Sequence, residues 1–212
     1  MKITKFGHAC LLVEEDGVRI LIDPGSYSTL PENLENLDVI LVTHEHADHY
    51  TPEILKKLLD TNKDAQVITN SGVGAQLDKA GIAYQVIEDG QGIKIGKVEI
   101  EGEGHTHALV HASIPRCANT GYHIAGKLFH PGDSFGTVPT RPVEILALPV
   151  VAPWCTLSDA IEYGKKVKPK KAFPIHDGNL KIPGFTHQLP KEILSKEGIE
   201  FSVLELGKEY DF

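Results

Sequence analysis

Three imidazoles and a carboxylate lie within six residues of the chain, at His44, His46, Asp48 and His49. They follow Leu37–Val42, a short apolar run rich in β-branched residues that predicts a buried strand. Alternate residues of an extended turn point the same way, so the first two histidines are expected to bind one metal ion, and the carboxylate and the last histidine to face a second. Such ligands suit zinc, and also manganese, iron or nickel. The sequence therefore predicts two divalent metal ions at the carboxyl end of a strand, with zinc as the first choice.

The chain has the size and composition of an ordinary globular domain. Of its 212 residues, 41 % are hydrophobic and 24 % are charged, so one core can be filled without disulfides. We expect a single domain spanning residues 1–212. Its cysteines, Cys10, Cys117 and Cys155, are odd in number and without a disulfide spacing, which is typical of a reducing compartment. The N-terminus does not resemble an export signal and no apolar run reaches about 18 residues, so the expected location is the cytoplasm.

The charge balance limits the partners. The chain has 29 acidic and 21 basic residues and a formal charge of −8, which opposes binding to a polyanion. We therefore expect a small-molecule substrate rather than nucleic acid or a membrane, and we leave a homo-oligomer open. The lysine-rich stretch 165–171 is expected at a helix end, where cations interact favourably with the carbonyl groups. It could also attract a small anionic substrate.

Predicted strands alternate with predicted helices along the chain. Helices are predicted at 52–59, 73–80, 158–167 and 189–196, and strands at 66–69, 143–150, 171–175 and 199–206. Turn residues at 14–17 and 125–127 predict hairpins, and 84–104 predicts short antiparallel strands. Residue types that bind metals recur at the strand ends. This order suggests an α/β protein with helices outside two sheets.

The cluster at 44–49 resembles the H-x-H-x-D-H signature of the metallo-β-lactamase superfamily. Two further segments, Gly7-His8-Ala9 and Leu21-Ile22-Asp23-Pro24-Gly25, are similar to the opening of the branch that contains ascorbate-6-phosphate lactonase and related metal-dependent hydrolases. The resemblance extends over nearly the whole chain. It implies the metallo-β-lactamase fold, a four-layer αββα sandwich.

The resemblance also implies a set of metal ligands. The first ion would be held by His44, His46 and His105, the second by Asp48, His49 and His176, and Asp133 would bridge both. Two other histidines, His107 and His111, stand close to His105, and either is an alternative to it as the ligand. The implied catalytic carboxylates are Asp48 and Asp133.

Further residues are expected around the ions. Asp23 follows an apolar strand, and we interpret it either as a strand terminator or as an acceptor for the second ring nitrogen of a ligand histidine. His8 is interpreted as a similar outer partner, as a substrate-facing residue or as an ordinary core histidine. Arg116, Asn119 and Trp154 are predicted substrate contacts, and the arginine would suit a carboxylate or phosphate.

The expected reaction is hydrolysis. Two close divalent ions can share a hydroxide that attacks an ester, lactone or phosphoester of a small substrate, anionic substrates included. The chain has no Gly-x-Ser-x-Gly nucleophile elbow. The alternatives are a non-catalytic metal-binding or sensor protein and a redox or nuclease member of the fold. His46 stands where diiron relatives carry a carboxylate, and Tyr50 stands where many lactonase and thioesterase relatives carry glycine. His130 is interpreted as a structural hairpin residue.

Overall fold

Fourteen strands form two sheets of seven in the computed structural model, which describes all 212 residues. The first sheet contains β1 (Lys2–Lys5), β2 (Leu11–Glu15), β3 (Val18–Ile22), β4 (Val39–Leu41), β5 (Gln66–Thr69), β6 (Gln85–Val86) and the last strand of the chain, β14 (Glu209–Asp211). The second sheet contains β7 (Gly92–Ile95), β8 (Val98–Glu103), β9 (Gly121–Ile124), β10 (Leu128–His130), β11 (Ile145–Pro149), β12 (Lys171–Ile175) and β13 (Glu200–Phe201). Their spatial orders are β14-β1-β2-β3-β4-β5-β6 and β13-β12-β11-β10-β9-β8-β7.

Each sheet joins an antiparallel part to a parallel part. In the first sheet the pairs from β14 to β3 are antiparallel and those from β3 to β6 are parallel. In the second sheet the pairs from β7 to β10 are antiparallel and those from β10 to β13 are parallel. Parallel neighbours end at the same edge of a sheet. Residues that follow β3, β4, β10 and β12 are therefore brought together.

Four helices cover the outer faces: α1 (Pro52–Thr61), α2 (Ser71–Ala80), α3 (Leu157–Val167) and α4 (Phe185–Lys196). The first begins as predicted, because the Thr51 side chain accepts a hydrogen bond from the Ile54 amide and Pro52 occupies the first turn. Thr156 and Asp159 form a capping box on α3, whose last turn contains lysines of the 165–171 stretch. The lysine-rich stretch therefore lies at a helix end, as expected.

Hydrophobic residues alternate between two packed layers along the strands. In β2, Leu11 and Val13 face the second sheet, whereas Leu12 packs with residues of α1 and α2. The second sheet repeats this arrangement, since Ile145 of β11 faces the first sheet and Leu146 packs under α3 and α4. Strands buried on both faces require near-continuous apolar sequence, which these runs supply. The predicted αββα sandwich is confirmed.

The C-terminal elements differ from their predictions. The fourth helix begins at Phe185 rather than 189, and strand pairing within 199–206 is limited to Glu200–Phe201. The strand β14 was not predicted; it is short and polar, and it forms by backbone pairing with β1. None of the four helices combines the length and the apolar character that a membrane span requires.

Candidate metal centre

The predicted histidine cluster lies at the edge where the parallel strands end. Two groups of potential ligand atoms form there, each with all its atoms within 4.8 Å of one another. The first group consists of His44, His46, His107 and Asp133, and the second of His8, Asp48, His49 and His176. Asp133 also lies close to the second group, since its Oδ1 is 3.1 Å from His49 Nε2 and its Oδ2 is 2.9 Å from His176 Nε2. One carboxylate thus faces both groups.

Asp23, which follows β3, holds the histidine turn in place. It is fully buried, and its carboxylate accepts hydrogen bonds from the Thr43 amide (2.8 Å) and the Thr43 hydroxyl (2.7 Å). The Oδ2 atom also lies 2.7 Å from His49 Nδ1. Asp23 therefore makes the contact of an outer partner, the second of the two interpretations drawn from the sequence. Its backbone is left-handed, at φ 48°, a conformation found at constrained functional positions.

A close backbone contact fixes the same turn from the other side. A Cβ atom at Gly25 would lie 1.9 Å from the carbonyl oxygen of Asp48, so only glycine fits here. The next residue, Ser26, donates its amide to the Ala47 carbonyl at 2.8 Å. The Asp-Pro-Gly segment after β3 therefore packs directly against the histidine turn and fixes its backbone.

The hydrogen-bond partners of Nδ1 define the tautomer of four histidines. Carbonyl oxygens accept from His107 Nδ1 (Ala108, 2.7 Å) and from His176 Nδ1 (Val151, 2.6 Å). The Asp23 carboxylate accepts from His49 Nδ1. The Thr43 hydroxyl donates its hydrogen to Asp23, so it accepts from His44 Nδ1 at 3.0 Å. In the neutral ring each of these histidines then has a free lone pair at Nε2.

These Nε2 atoms fit a metal ion better than they fit a metal-free polar core. The Nε2 atoms of His44, His49, His107 and His176, together with Asp133 Oδ1, are buried and have no hydrogen-bond partner in the protein. A buried polar atom without a partner costs about 1–3 kcal/mol. His49 Nε2 and Asp133 Oδ1 lie 3.1 Å apart and can share the proton that His49 holds in metal-free protein, but the Nε2 atoms of His44, His107 and His176 stay without a partner unless cations bind there. Zinc and similar divalent ions are expected to bind such imidazole nitrogens and carboxylate oxygens, whose side chains are oriented by hydrogen bonds to other residues.

Electrostatics distinguish the two groups. Burial lowers the pKa of His44 well below its usual value, and the neighbouring His49 lowers it further. Burial also opposes charge on His49, but the carboxylates of Asp133 and Asp23 outweigh it and raise the His49 pKa well above its usual value. Burial works against ionised Asp48, yet His8 and His49 lower the pKa of this carboxyl to about 2. The carboxylate is therefore ionised at neutral pH.

The structure corrects the predicted third histidine of the first group. His105 is exposed and belongs to neither group, whereas His107 is buried and its Nε2 lies 3.5 Å from Asp133 Oδ2. Only Thr106 lies between the two histidines, and of the pair only His107 is buried; its amide donates to the Cys117 carbonyl at 3.0 Å. His111, the other alternative, is exposed and bonds Ser113. His107 thus takes the place expected for His105.

Asn119 is not placed as a substrate contact, contrary to its prediction. Its side chain is buried, and its amide nitrogen donates to the Pro131 carbonyl at 2.9 Å. Its side-chain oxygen accepts from the Asp133 amide, also at 2.9 Å. Both polar ends are therefore occupied in holding the loop that presents Asp133. A polar residue in a loop is typically exposed, so the sequence does not indicate this burial.

Trp154 lies at the site but makes a contact that sequence reasoning missed. Its indole Nε1 donates to Asp133 Oδ2 at 2.9 Å. The indole also packs edge-on against Phe135, whose ring stacks on Tyr163. Trp154 thus holds the shared carboxylate with its polar edge and begins an aromatic row with its apolar body.

The remaining predicted residues lie at different distances from the two groups of ligand atoms. His8 is fully buried, with Nε2 at 3.2 Å from Asp48 Oδ2. His130 is buried away from both groups and contacts the Ala9 carbonyl, which fits its structural interpretation. Tyr50 packs in the core between the first sheet and its helices. Arg116 is exposed at the edge of the cavities described next.

Two neighbouring cavities lie beside the two groups of potential ligand atoms. One, of about 240 Å³, is lined by ligand atoms and by the apolar side chains of Val110, Ile114, Pro153 and Trp154. The other, of about 520 Å³, shares His107 and Trp154 with the first and extends along Phe135 and Tyr163 to Arg116 and Lys166. A small molecule can therefore reach the ligand atoms from a larger neighbouring space.

Comparison with known proteins gives consistent results. The family model described as "Beta-lactamase superfamily domain" matches residues 2–176, from the first strand to His176. Protein Rv0786c of Mycobacterium tuberculosis is 36 % identical over 181 residues, which cover 83 % of this chain and 84 % of that protein. A UPF0173 metal-dependent hydrolase of Aeropyrum pernix is 26 % identical over 245 aligned positions, covering 100 % and 97 %. Igni18, a metallo hydrolase from Ignicoccus hospitalis, matches the fold with a TM-score of 0.77 at 24 % identity, covering 100 % of this chain and 98 % of its own.

Proposed function

The chain belongs to the metallo-β-lactamase superfamily, and from that premise we propose that it is a binuclear metal-dependent hydrolase. Two of its relatives are named metal-dependent hydrolases, which supports this activity. The observation that carries the binuclear part is the position of Asp133. Its Oδ2 lies 3.5 Å from His107 Nε2 of the first group and 2.9 Å from His176 Nε2 of the second, and its Oδ1 lies 3.1 Å from His49 Nε2 of the second.

The residues divide the work at the site. His44, His46 and His107 would hold the first ion, Asp48, His49 and His176 the second, and Asp133 would contact both. When bound, such ions supply a water of lowered pKa and polarise the attacked oxygen of the substrate. Asp23 keeps the histidine turn oriented, and Trp154 holds Asp133. The ordered lone pairs need no reorganisation when substrate binds, which is the main contribution a protein can make to such chemistry.

The substrate we propose is a small ester, lactone or phosphoester with an anionic group. The cavity nearest the ligand atoms has apolar walls, which suit the carbon part of such a molecule. In the larger cavity the two carboxylates are already engaged: Asp159 accepts from the Thr156 amide and hydroxyl, and Glu162 pairs with Lys165.

The cations of the larger cavity have no such partners. Neither Arg116 nor Lys166 has a carboxylate within 4.0 Å. The unpaired charge facing this space is therefore positive, although the whole chain carries −8. Cations of this kind bind carboxylates or phosphates. We also propose a small-molecule substrate and a cytoplasmic location, in keeping with the sequence expectations.

The test is turnover by zinc- or manganese-loaded protein of matched substrates that differ in one charge. Esters, lactones and phosphodiesters with a distal carboxylate are compared with analogues in which only that carboxylate is methylated and so uncharged. We expect turnover of at least one bond type and a higher kcat/KM for the anionic member. The double variant Arg116→Ala, Lys166→Ala should remove that preference, while the control Lys170→Ala, whose partner is Glu144, should keep it. Metal binding without turnover of any member would favour a sensor protein instead.

A further inference from the structure

His8 differs from the other buried histidines of the site in the ring nitrogen that the protein holds. The amide of Gly178 donates to His8 Nδ1 at 3.1 Å. A nitrogen that accepts a hydrogen bond carries no hydrogen, so the neutral ring of His8 has its hydrogen on Nε2. In His44, His49, His107 and His176 the arrangement is reversed, because Nδ1 donates in each of them.

The backbone around His8 enforces this difference. The carbonyl of His8 accepts a hydrogen bond at 2.7 Å from the amide of His176, which precedes Gly178 by two residues. A Cβ atom at Gly178 would lie 2.8 Å from the His8 amide nitrogen, so any other residue would push the two segments apart. The ring itself is fully buried. It therefore cannot easily turn over to exchange its two nitrogens.

The Nε2 atom of His8 faces the second group of ligands. Oδ2 of Asp48 lies 3.2 Å from it, within hydrogen-bond distance, and no other acceptor in the protein contacts this N–H. Asp48 is itself the most exposed carboxylate of the site, with a quarter of its side chain (26 %) accessible. The buried N–H of His8 can therefore fix the orientation of the more exposed Asp48 carboxylate by a hydrogen bond.

We propose that His8 is not a metal ligand but a permanent hydrogen-bond donor that positions Asp48. This inference rests on the proposed metal centre. A ligand imidazole must offer a lone pair, and the one lone pair of neutral His8 is occupied by Gly178. Asp48, His49, His176 and Asp133 would then hold the second ion. Asp48 owes its orientation to His8 in the way that His49 owes its orientation to Asp23.

The direct test is NMR of the ring nitrogens in ¹⁵N-histidine-labelled protein, metal-free and after addition of zinc or of NMR-active cadmium. We expect His8 to show an unprotonated Nδ1 and a protonated Nε2 in both states, with no coupling to cadmium. His44, His49, His107 and His176 should show coupling through Nε2. A His8 Nε2 that loses its hydrogen on addition of zinc, or couples to cadmium, would overturn the inference and leave the hydrolase proposal standing. Wild-type protein that binds no zinc would overturn both.

Two substitutions at His8 separate a donor from a ligand. In His8→Gln the side-chain amide can still donate towards Asp48, whereas His8→Leu has no donor. For a donor, we expect the leucine variant to bind the second zinc ion about 10–100-fold more weakly, and the glutamine variant to recover most of that loss. A glutamine variant as weak as the leucine variant would contradict the inference. His130→Gln, in a buried histidine outside both groups, is the control for loss of packing; if a His8 variant does not fold, the NMR measurement on the wild type decides.

Discussion

The two sheets supply ligands to the metal centre in different ways. In the first sheet one turn after β4 provides His44, His46, Asp48 and His49, and local bonds to Asp23 and the chain at Gly25 hold it. The second sheet provides His107, Asp133 and His176, one from each of three separate connections. The ligands of one contiguous turn stay close together however the two sheets pack against each other. The dispersed ligands meet it only if the sandwich packs in the right register, so the second sheet is where metal binding depends on the whole fold.

The largest effect should come from the one dispersed residue that faces both groups. Asp133→Ala removes the carboxylate between them and leaves buried imidazoles facing one another. The loss of metal affinity and of turnover should exceed the about 100-fold that is usual when an outer partner of a ligand is removed. Elemental analysis and kinetics check this, with circular dichroism to verify folding. Asp78→Ala, at an exposed helix position, is the control; full metal content in the Asp133 variant would contradict the shared role.

The comparison of His107 with His105 should give the next largest effect. His107→Ala removes a buried Nε2 from the first group, whereas His105→Ala changes an exposed side chain. We expect the first variant to lose one of two metal ions and nearly all activity, and the second to keep both ions. Metal content and kcat measured side by side decide between the histidines. The opposite pattern would restore the ligand set implied by the sequence resemblance.

The same contrast explains what the sequence could predict. The turn at 44–49 was predicted with its strand, since ligand spacing and the preceding apolar run are both local features. The choice between His105 and His107 is not a local feature, because it depends on how the connection between β8 and β9 folds, where the His107 amide pairs with the distant Cys117 carbonyl. The position of Asn119 is not a local feature either, since its burial against Pro131 and Asp133 is a tertiary contact. The polar strand β14 carries no hydrophobic pattern and forms only because β1 offers an open edge.

Proton release should distinguish the two groups of ligands. The pKa of His49 is raised well above its usual value by Asp133 and Asp23 despite burial, so metal-free protein holds a proton there at neutral pH. An ion that binds His49 must displace this proton, and its affinity should rise about tenfold per pH unit until the raised pKa is passed. The pKa of His44 is lowered by burial and by the neighbouring His49, so this ring is already neutral at neutral pH and has no proton to release. Calorimetry in buffers with different ionisation enthalpies should find one proton released with one ion; equal release with both ions, or none, would contradict the assignment.

The smallest effect should follow from loosening Asp133 without removing it. Trp154→Phe deletes the Nε1 hydrogen bond to Oδ2 but keeps an aromatic ring beside Phe135. Metal affinity should fall by about tenfold, the low end for the loss of an outer partner. Tyr163→Phe, which loses a hydroxyl bond to the Thr137 carbonyl elsewhere in the aromatic row, should leave metal affinity unchanged. Zinc titration with a competing chelator measures both; identical behaviour of the two variants would deny Trp154 its role.

Anomalous diffraction from crystals of the zinc-loaded protein tests the central claim most directly. Two ions should lie on either side of Asp133, one against His44, His46 and His107 and the other against Asp48, His49 and His176. A single ion, an ion bound by His105, or ions that leave Asp133 without a metal contact would contradict the account.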